Sequence, residues 1–338
     1  MSYDFTNIPA LYRSKLTLLE TERAVKLLKD TFERELAARL NLTRVSAPLF
    51  VRPETGLNDD LNGIERPVSF DIPALGGAEG QIIHSLAKWK RQALYRYGIG
   101  PGAGLYTDMN AIRRDEELDH IHSLYVDQWD WEKVITEEER TLSTLVEATG
   151  EIVDAMRTTE RVLIEQFPVF GRKIPDKFCV ISTQELEDRY PDMTPKQRED
   201  AICRENGVVL LTQIGIVLSS GNRHDGRAPD YDDWSMNGDL LVWDYTCGHA
   251  LELSSMGVRV DAAAMDRQLT LSGKDARRSL PFHAAVLAGA LPLTMGGGIG
   301  QSRLCMYFLE KAHIGEVQSS VWPPDMWEAC DKIGIKLL

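Results

Sequence analysis

Nine residues near the carboxyl end, MGGGIGQSR (295–303), constrain the backbone of this chain more than any other stretch. Four of the six positions 295–300 are glycine, and an arginine follows at position 303. Glycine runs of this kind let the main chain approach a phosphate or a flat ring, because a Cβ would collide with the ligand or forbid the required φ. The run is not a P-loop, since no Lys-Ser/Thr pair follows, and not a dinucleotide fingerprint, since Arg303 replaces the third glycine. The alternative interpretation is a turn that caps a helix beginning near Ile299.

Charge and cysteine content disfavour several functional classes. The 338 residues carry 51 acidic and 38 basic side chains, and the net charge of −13 opposes binding to tRNA or to an anionic membrane. The five cysteines are dispersed without a C-x-x-C pair, which indicates reduced thiols in the cytoplasm rather than a disulfide framework or a zinc site. The amino-terminal MSYDFTNIP has no targeting pattern, and the apolar window 284–293 is too short to cross a bilayer.

The order of helical and strand-like segments predicts a single α+β domain over residues 1–338. Apolar residues recur at helical spacing over 8–40, and residues 43–51 follow as a strand that Pro48 places at an edge or a subunit boundary. Eight further β-rich runs predict a mostly antiparallel sheet flanked by helices, and no repeat or low-complexity linker divides the chain. Two more long helices are predicted, over 137–167 and 299–312.

Three short patterns occur in a fixed order along the chain. A helix and a proline-containing strand lie within residues 1–52, AIRRDEE (111–117) lies between two strands, and GGGIGQSR leads into a helix. Together they resemble the three motifs of class II aminoacyl-tRNA synthetases, whose catalytic core binds bent ATP over an antiparallel sheet. The resemblance implies that Arg113 holds the α-phosphate, that Arg303 holds the γ-phosphate, and that residues 1–52 form a dimer interface.

Longer strings narrow the resemblance to one family. HSLAKWKRQAL (84–94), HSLYVDQWDWE (122–132), RAPDYDDW (227–234) and LELSSMGVRVD (251–261) look like the ammonia-dependent asparagine synthetases, also called aspartate–ammonia ligases. The resemblance runs from the first helix almost to the carboxyl end. It implies a homodimer that joins L-aspartate and free ammonia at the expense of ATP and releases AMP and pyrophosphate.

The chemistry of amide formation explains why cations should surround the phosphates. Oxide is a poor leaving group, so the carboxylate must first become an acyl-adenylate, and negative charge then accumulates on the phosphates. We predict Arg113 at the α-phosphate, Arg227 and Arg303 at the β- and γ-phosphates, and Mg²⁺ on Asp239 and Glu252, because hard oxygen ligands suit this ion. Without the resemblance, these two acids are better explained as a turn residue and a solvent-facing strand residue. The predicted ATP-binding set is completed by Tyr231, Ser255, Gly298 and Gly300.

Aspartate requires an anion beside its ammonium group and cations beside its two carboxylates. The candidates for the ammonium end are Asp59, Gln128 and Asp130. Of the adjacent acids Asp59 and Asp60 only one is expected to face the pocket, and Asp59 is favoured. The candidates for the carboxylate ends are Ser85, Lys88 and Lys90. Because side chains two positions apart on a helix diverge, only one of the two lysines is expected to reach the ligand, and we favour Lys90.

Free ammonia is mostly ammonium at neutral pH, so a carboxylate near the adenylate would attract the cation and accept its proton. The candidates are Asp130 and Asp232. A glutaminase-type nucleophile is not expected, because Ser2 follows Met1 and CGH (247–249) is interpreted as a loop beside the sheet. His120 and His122 are interpreted as structural, because no third metal ligand is expected near them.

Two alternatives use the same fold. An aspartyl- or asparaginyl-tRNA synthetase core would share the adenylate site, but the acidic net charge and the lack of a preceding anticodon-binding module in the printed sequence disfavour it. A catalytically silent paralogue would be expected to lose its phosphate-binding arginines. Arg113, Arg227 and Arg303 are all present. We therefore expect an enzyme whose partners are aspartate, ammonia, ATP and a second copy of the chain, with neither nucleic acid nor membrane.

Overall fold

The computed structural model describes residues 8, 9, 11–61 and 65–338. Eight strands form one large sheet with the order β1-β5-β6-β11-β10-β9-β8-β7, and three form a small antiparallel sheet with the order β2-β4-β3. In the large sheet only the outer pairs, β1 with β5 and β7 with β8, are parallel, so the predicted antiparallel character is confirmed. The strands are β1 (Leu42–Arg44), β2 (Phe50–Val51), β3 (Ser69–Ile72), β4 (Ala78–Ile82), β5 (Gly104–Ile112), β6 (Tyr125–Val134), β7 (Cys179–Ser182), β8 (Val208–Thr212), β9 (Asp232–Asp244), β10 (His249–Arg259) and β11 (Thr294–Gly300).

Nine α-helices lie in this described part of the chain. They are α1 (Leu18–Leu40), α2 (Ala87–Tyr97), α3 (Leu142–Gln166), α4 (Thr183–Arg189), α5 (Pro195–Asn206), α6 (Ala262–Leu271), α7 (Pro281–Leu287), α8 (Gln301–Phe308) and α9 (Pro324–Lys332). None of these helices combines the length and the apolar character that crossing a bilayer requires. The largest apolar core forms where α1, α3 and α8 pack on one face of the large sheet, and Met326 and Cys330 of α9 join it.

The first predicted helix is shorter than expected. It begins at Leu18 because Thr17 forms a capping box with Glu20, in which each side chain accepts a hydrogen bond from the backbone N–H of the other residue. Residues 8, 9 and 11–17 are therefore not helical. Residues 1–7 and 10, on which the expectations about the amino terminus and Ser2 depend, lie outside the described residues.

Three other predicted boundaries differ from the structure. Residues 43–51 do not form one strand, because β1 and β2 belong to different sheets and Pro48, which has no N–H to donate, lies in the connection between them. The last predicted long helix begins at Gln301 rather than Ile299, because Ile299 is paired in β11, and it ends at Phe308. Helix α3 likewise begins at Leu142, after its N-cap Thr141, and not at position 137.

Candidate active site

The central strands divide their side chains between an apolar face and a polar face. In β6, Trp129 and Trp131 are almost fully buried in the core, and the Trp129 ring lies 4.9 Å from the ring of Phe32 on α1. The alternate residues Gln128, Asp130 and Glu132 lie on the opposite face, because side chains along a strand alternate. Strand β6 is paired with the glycine strand β11, so these polar groups lie directly beside its glycines.

The glycines of β11 are required for space and not for an unusual φ. Gly296, Gly297, Gly298 and Gly300 all lie outside the set of glycines with positive φ, so of the two reasons given for the glycine run only the lack of a Cβ applies. The alternative of a capping turn is wrong, because the run forms a strand whose last residue, Gly300, is the N-cap of α8. Gly298 faces Asp130 and Gly300 faces Gln128 in the ladder. The bare strand leaves room for the polar side chains and for a flat ligand above them.

Adjacent glycines on opposite faces of β11 should respond differently to an added methyl group. A Cβ at Gly297 would lie 2.5 Å from the Cβ of Met256, so Gly297→Ala should lower the free energy of unfolding by about 1–3 kcal/mol. A Cβ at Gly298 would lie 2.3 Å from Oε1 of Gln128, a movable side-chain end, so Gly298→Ala should mainly raise the KM values for ATP and aspartate.

Denaturant unfolding and steady-state kinetics measure these two effects. The matched control is Gly100→Ala, because a Cβ at Gly100 meets no atom within 4 Å and its φ is not positive. The control should change neither quantity. Equal losses of stability in Gly297→Ala and Gly298→Ala would contradict the assignment of the two faces.

A β-bulge in β10 brings two predicted site residues onto the polar face. Glu252 is paired with Leu241, and Ser255 is paired with Asp239. Glu252 and Ser255 are three residues apart in β10, whereas their partners Leu241 and Asp239 are only two residues apart in β9. The extra residue therefore places the side chains of Glu252 and Ser255 on the same face, together with that of Asp239. Without the bulge, either Glu252 or Ser255 would face the apolar core.

Three cavities meet over this polar face and share Arg113 and Glu252 as walls. The inner cavity has a volume of about 120 Å³, the second about 190 Å³, and the outer one about 730 Å³. The inner cavity is lined by the predicted residues Asp59, Ser85, Lys90, Gln128, Asp130, Tyr231, Asp232, Ser255 and Gly298. The second cavity adds Gly300 and Arg303, and the outer cavity adds Arg227. Of the residues considered as candidates, Asp239 and Lys88 lie outside these linings.

The inner cavity contains a buried network of opposite charges. Lys90 of α2 is fully buried; its Nζ forms an ion pair with Asp130 and donates a hydrogen bond to the Gly297 carbonyl at 2.9 Å. Arg259 forms a bidentate ion pair with Glu132, in which Nη2 donates to Oε2 at 2.7 Å and Nε donates to Oε1 at 3.0 Å. Burial by itself raises the pKa of Glu132, but Arg259 and Lys90 outweigh it and lower the pKa. Glu132 therefore remains a carboxylate and holds both cations in place.

Lys88 and Lys90, the two lysines of the segment KWK (88–90), contact different residues. Lys88 lies 3.2 Å from Asp230, outside the inner cavity, whereas Lys90 lines it. The adjacent acids Asp59 and Asp60 also separate: Asp59 lines the cavity, and Asp60 forms an ion pair with Arg277. Burial raises the pKa of Asp59, with Lys88 acting in the opposite direction.

The three predicted phosphate-binding arginines surround Glu252. Arg303 Nη1 donates to the Glu252 carbonyl at 3.1 Å and lies 3.7 Å from its carboxylate. Arg113 lies 3.6 Å from Glu116, and its buried Nε has no hydrogen-bond partner. Arg227 forms an ion pair with Asp239. The three side chains are thus held near one another with donors available for an anion.

Asp239 lies beneath Arg227 and is almost fully buried. Burial raises its pKa to about 7, Arg227 opposes this shift, and Glu252 adds to it. Its Oδ1 has no hydrogen-bond partner. Two neighbouring carboxylates with an unused buried oxygen form a donor set of the kind that binds a divalent cation.

Two polar side chains that line the inner cavity were not predicted from the sequence. Arg259 stands in the string LELSSMGVRVD, but only the sheet register shows that it reaches the inner cavity. His84 directly precedes the predicted Ser85, which is the one signal that pointed to it. Its Nδ1 donates to the Asp59 carbonyl at 2.9 Å, so in the neutral ring Nε2 carries the lone pair, and this buried Nε2 has no hydrogen-bond partner.

The family profile and the similar sequences all identify aspartate–ammonia ligases. The profile of the family AsnA, aspartate-ammonia ligase, matches residues 19–334. The sequence is 57% identical to an aspartate–ammonia ligase of Clostridium perfringens over 331 residues, covering 98% of each chain. It is 55% identical to that of Levilactobacillus brevis over 331 residues, covering 98% of this chain and 99% of the relative.

Solved structures show the same fold at low sequence identity. Asparaginyl-tRNA synthetase of Pyrococcus horikoshii complexed with asparaginyl-adenylate is 13% identical with a TM-score of 0.64, over 90% of this chain and 70% of that chain. Aspartyl-tRNA synthetase of Entamoeba histolytica is 16% identical with a TM-score of 0.57, over 90% of this chain and 58% of that chain. The similarity to class II synthetase cores is therefore a similarity of fold.

Proposed function

The chain belongs to the aspartate–ammonia ligase family and is an ATP-dependent ligase that forms asparagine from aspartate and ammonia, and we propose that it does so through a β-aspartyl-adenylate. The observation that supports this route is the shared wall of Arg113 and Glu252 between the inner cavity and the two arginine-lined cavities. An amino acid in the inner cavity would lie beside a triphosphate bound along Arg113, Arg227 and Arg303.

The adenylate route has two balanced steps. An oxygen of the aspartate β-carboxylate attacks the α-phosphorus of ATP and displaces pyrophosphate. The nitrogen of ammonia then attacks the β-carbonyl carbon and displaces AMP. Arg113 stabilises charge at the α-phosphate, while Arg227 and Arg303 bind the departing pyrophosphate. Tyr231 and Gly298 line the inner cavity near the proposed position of the α-phosphate, and Ser255 lies beside them. Gly300 leaves space for the nucleoside in the second cavity.

The inner cavity offers charges of both signs to aspartate. We propose that Asp59, Gln128 and Asp130 bind the ammonium group, and that Ser85 and Lys90 bind the carboxylates. Arg259 adds a second buried cation to the carboxylate end. Fixed buried charges favour a small zwitterion with a second carboxylate, because each of its charged groups exchanges water for an opposite charge.

We propose that Mg²⁺ is bound by Asp239 and Glu252. The unpartnered Oδ1 of Asp239 and the position of both carboxylates on one face of β9 and β10 fit a hard cation. When bound, Mg²⁺ would neutralise charge on the β- and γ-phosphates. Arg227, now paired with Asp239, would then turn toward the phosphates.

The proton of ammonium requires an acceptor near the adenylate. Of the candidates predicted from the sequence, Asp232 is engaged by Arg259, whereas Asp130 has an unpartnered Oδ2 besides its ion pair with Lys90. His84 offers a second unpartnered acceptor, Nε2, in the same cavity. We propose that Asp130 attracts the ammonium ion and that His84 accepts its proton.

Replacement of His84 separates the two half-reactions. In His84→Gln, aspartate-dependent exchange between pyrophosphate and ATP should remain within about threefold of wild type, whereas asparagine formation should fall about 100-fold. Asp130→Asn should impair both reactions, because Asp130 also positions Lys90. An equal loss of both reactions in His84→Gln would show that His84 only supports the Asp59 loop.

Product analysis tests the proposed route directly. Incubation with aspartate, ammonium, ATP and Mg²⁺ should yield asparagine, AMP and pyrophosphate in equal amounts. Formation of ADP would contradict an adenylate, because ADP arises by attack on the γ-phosphorus. Replacing ammonium by tRNA should give no aminoacylated product. Transfer to tRNA would favour the synthetase-like alternative.

We propose that the enzyme is a homodimer whose interface includes residues within 1–52. Leu18 and Leu19 of α1 are exposed, as are Leu49 and, in β2, Phe50, which places exposed apolar side chains on this segment. Sedimentation at micromolar concentration should give twice the chain mass, and a monomer would contradict the proposal.

The five free cysteines support a cytoplasmic location.

A further inference from the structure

A cluster of metal-binding residue types lies outside the three cavities. His120, Cys247 and His249 place one ligand atom each within 4.8 Å of one another, and within residues 8, 9, 11–61 and 65–338 they are the one group of three that does so. The interpretation of His120 as lacking a third ligand nearby is therefore wrong. The tertiary structure supplies the other two residues from a turn more than a hundred positions away in sequence.

The two histidines face each other and share a hydrogen bond between their Nε2 atoms. Their Nε2 atoms are 3.0 Å apart, and the rings are nearly perpendicular at 84°. His249 Nδ1 donates to the Ala250 carbonyl at 2.9 Å, which leaves the lone pair of the neutral ring on Nε2. With Zn–N bonds near 2.0 Å and Zn–S near 2.3 Å, tetrahedral ligand atoms lie about 3.3–3.6 Å apart. A small movement of the half-buried Cys247 side chain closes this geometry.

A fourth polar group lies beside the cluster. Asp244 is almost fully buried and has an Oδ2 without a partner, while the Cys247 thiol donates to the Ala312 carbonyl at 3.7 Å. Cys247 lies in the tight turn that joins β9 to β10, and Asp244 and His249 are the paired strand residues on either side of it. The Gly248 N–H of this turn donates to the Asp244 carbonyl at 2.8 Å. The carboxylate can accept the thiol proton that a metal ion displaces, or complete the coordination itself.

We propose that His120, Cys247 and His249 bind a borderline-soft divalent cation such as Zn²⁺. On binding, the Cys247 sulfur forms a bond to the metal and its proton leaves for Asp244 or solvent, while the proton shared between the two Nε2 atoms moves to Nδ1 of His120; no redox change occurs. The ion joins the β5–β6 segment, which carries Arg113, to the β9–β10 turn. The site thereby stabilises the loop that supplies a wall of the ATP cavity. Two nitrogens and one thiolate favour Zn²⁺ or Co²⁺ over Mg²⁺.

Cobalt binding to the full-length enzyme tests this site independently of activity. Wild-type protein should bind one Co²⁺ at the site with the thiolate-to-cobalt charge-transfer absorption, and Zn²⁺ should displace it. Cys247→Ser should abolish this absorption and weaken Zn²⁺ binding at least about 100-fold. Cys179→Ser is the matched control, because Cys179 is also a half-buried free thiol and lies outside the cluster; it should behave as wild type.

The outcomes separate the proposed site from other metal binding. Cobalt bound only by the carboxylates of the active site would give no thiolate absorption. The proposal is overturned if wild-type protein lacks the band, or if Cys247→Ser retains it. Thermal unfolding supplies a second readout: Zn²⁺ should raise the Tm of wild type and Cys179→Ser, and should leave that of Cys247→Ser and His249→Ala unchanged. If His249→Ala does not fold, the Cys247→Ser comparison decides alone.

Discussion

Arg113→Ala should lower the rate of AMP formation by about 1000-fold or more and leave the protein folded. A fixed arginine at a reacting phosphate stabilises charge that develops in the transition state. A 1000-fold lower rate corresponds to an activation free energy that is about 4 kcal/mol higher. The fold should tolerate the change, because Arg113 is paired only with Glu116 at 3.6 Å among the described residues. Rates of AMP release and the denaturation midpoint measure the two effects.

The neighbouring arginine provides the control for this variant. Arg114 also lines the outer cavity, but its side chain is half-exposed and lies 4.0 Å from the carboxylate of Asp115. Arg114→Ala should therefore keep its activity within about twofold of wild type, since exposed ion pairs contribute little. Unchanged AMP production in Arg113→Ala would refute the proposed role. Equal losses in both variants would indicate damage to the loop rather than loss of a phosphate ligand.

Arg259→Leu should destabilise the protein by about 3–5 kcal/mol and abolish asparagine formation. The guanidinium lies between Glu132 and Asp232, and all three side chains are buried. Removing one partner leaves carboxylates in a medium of low polarity, where they lose water without gaining a cation. Denaturant unfolding measures the loss, and the activity assay tests whether aspartate still binds.

An exposed ion pair provides the contrast. Arg172 and Asp176 lie 2.8 Å apart with side chains 66% and 88% exposed, so Arg172→Leu should leave the denaturation midpoint close to that of wild type. The double variant Glu132→Gln with Arg259→Leu should recover part of the stability lost in Arg259→Leu. Similar midpoints for Arg259→Leu and Arg172→Leu would contradict the inferred role of the buried network.

Much of the sheet was predictable because its strands carry a local signal. GLYTDMNAI coincides with β5, and QWDWE in β6 alternates tryptophans and polar groups with the period of a strand. The short helices α4, α6 and α7 were not predicted. A short helix has a weak periodic pattern, and packing against the sheet decides whether it forms. Tertiary packing likewise decides that residues 43–51 are divided between two sheets, although the sequence already indicated an interruption at Pro48.

The candidate site was predictable where one string carried several of its residues. Lys90 and Asp130 stand in strings that resemble the aspartate–ammonia ligases, Arg113 and Arg303 stand in the motifs that resemble class II synthetases, and all four residues line a cavity. Arg259 was missed, although its string was recognised. An arginine at the end of a strand is ordinarily a solvent-exposed residue, and the register that turns it toward Glu132 involves strands far apart in sequence.

The sequence by itself determined the antiparallel sheet, the order of the three arginines and the family to which the chain belongs, because these depend on residue type and spacing. Only the tertiary structure decided that the glycines of β11 lack a Cβ because neighbouring atoms leave no room for one. It also decided that a bulge places Glu252 and Ser255 on one face, and that His120 lies beside Cys247 and His249. Each of these depends on distances between segments remote in sequence. Such distances are set when burial of the apolar faces selects one packing of the whole chain.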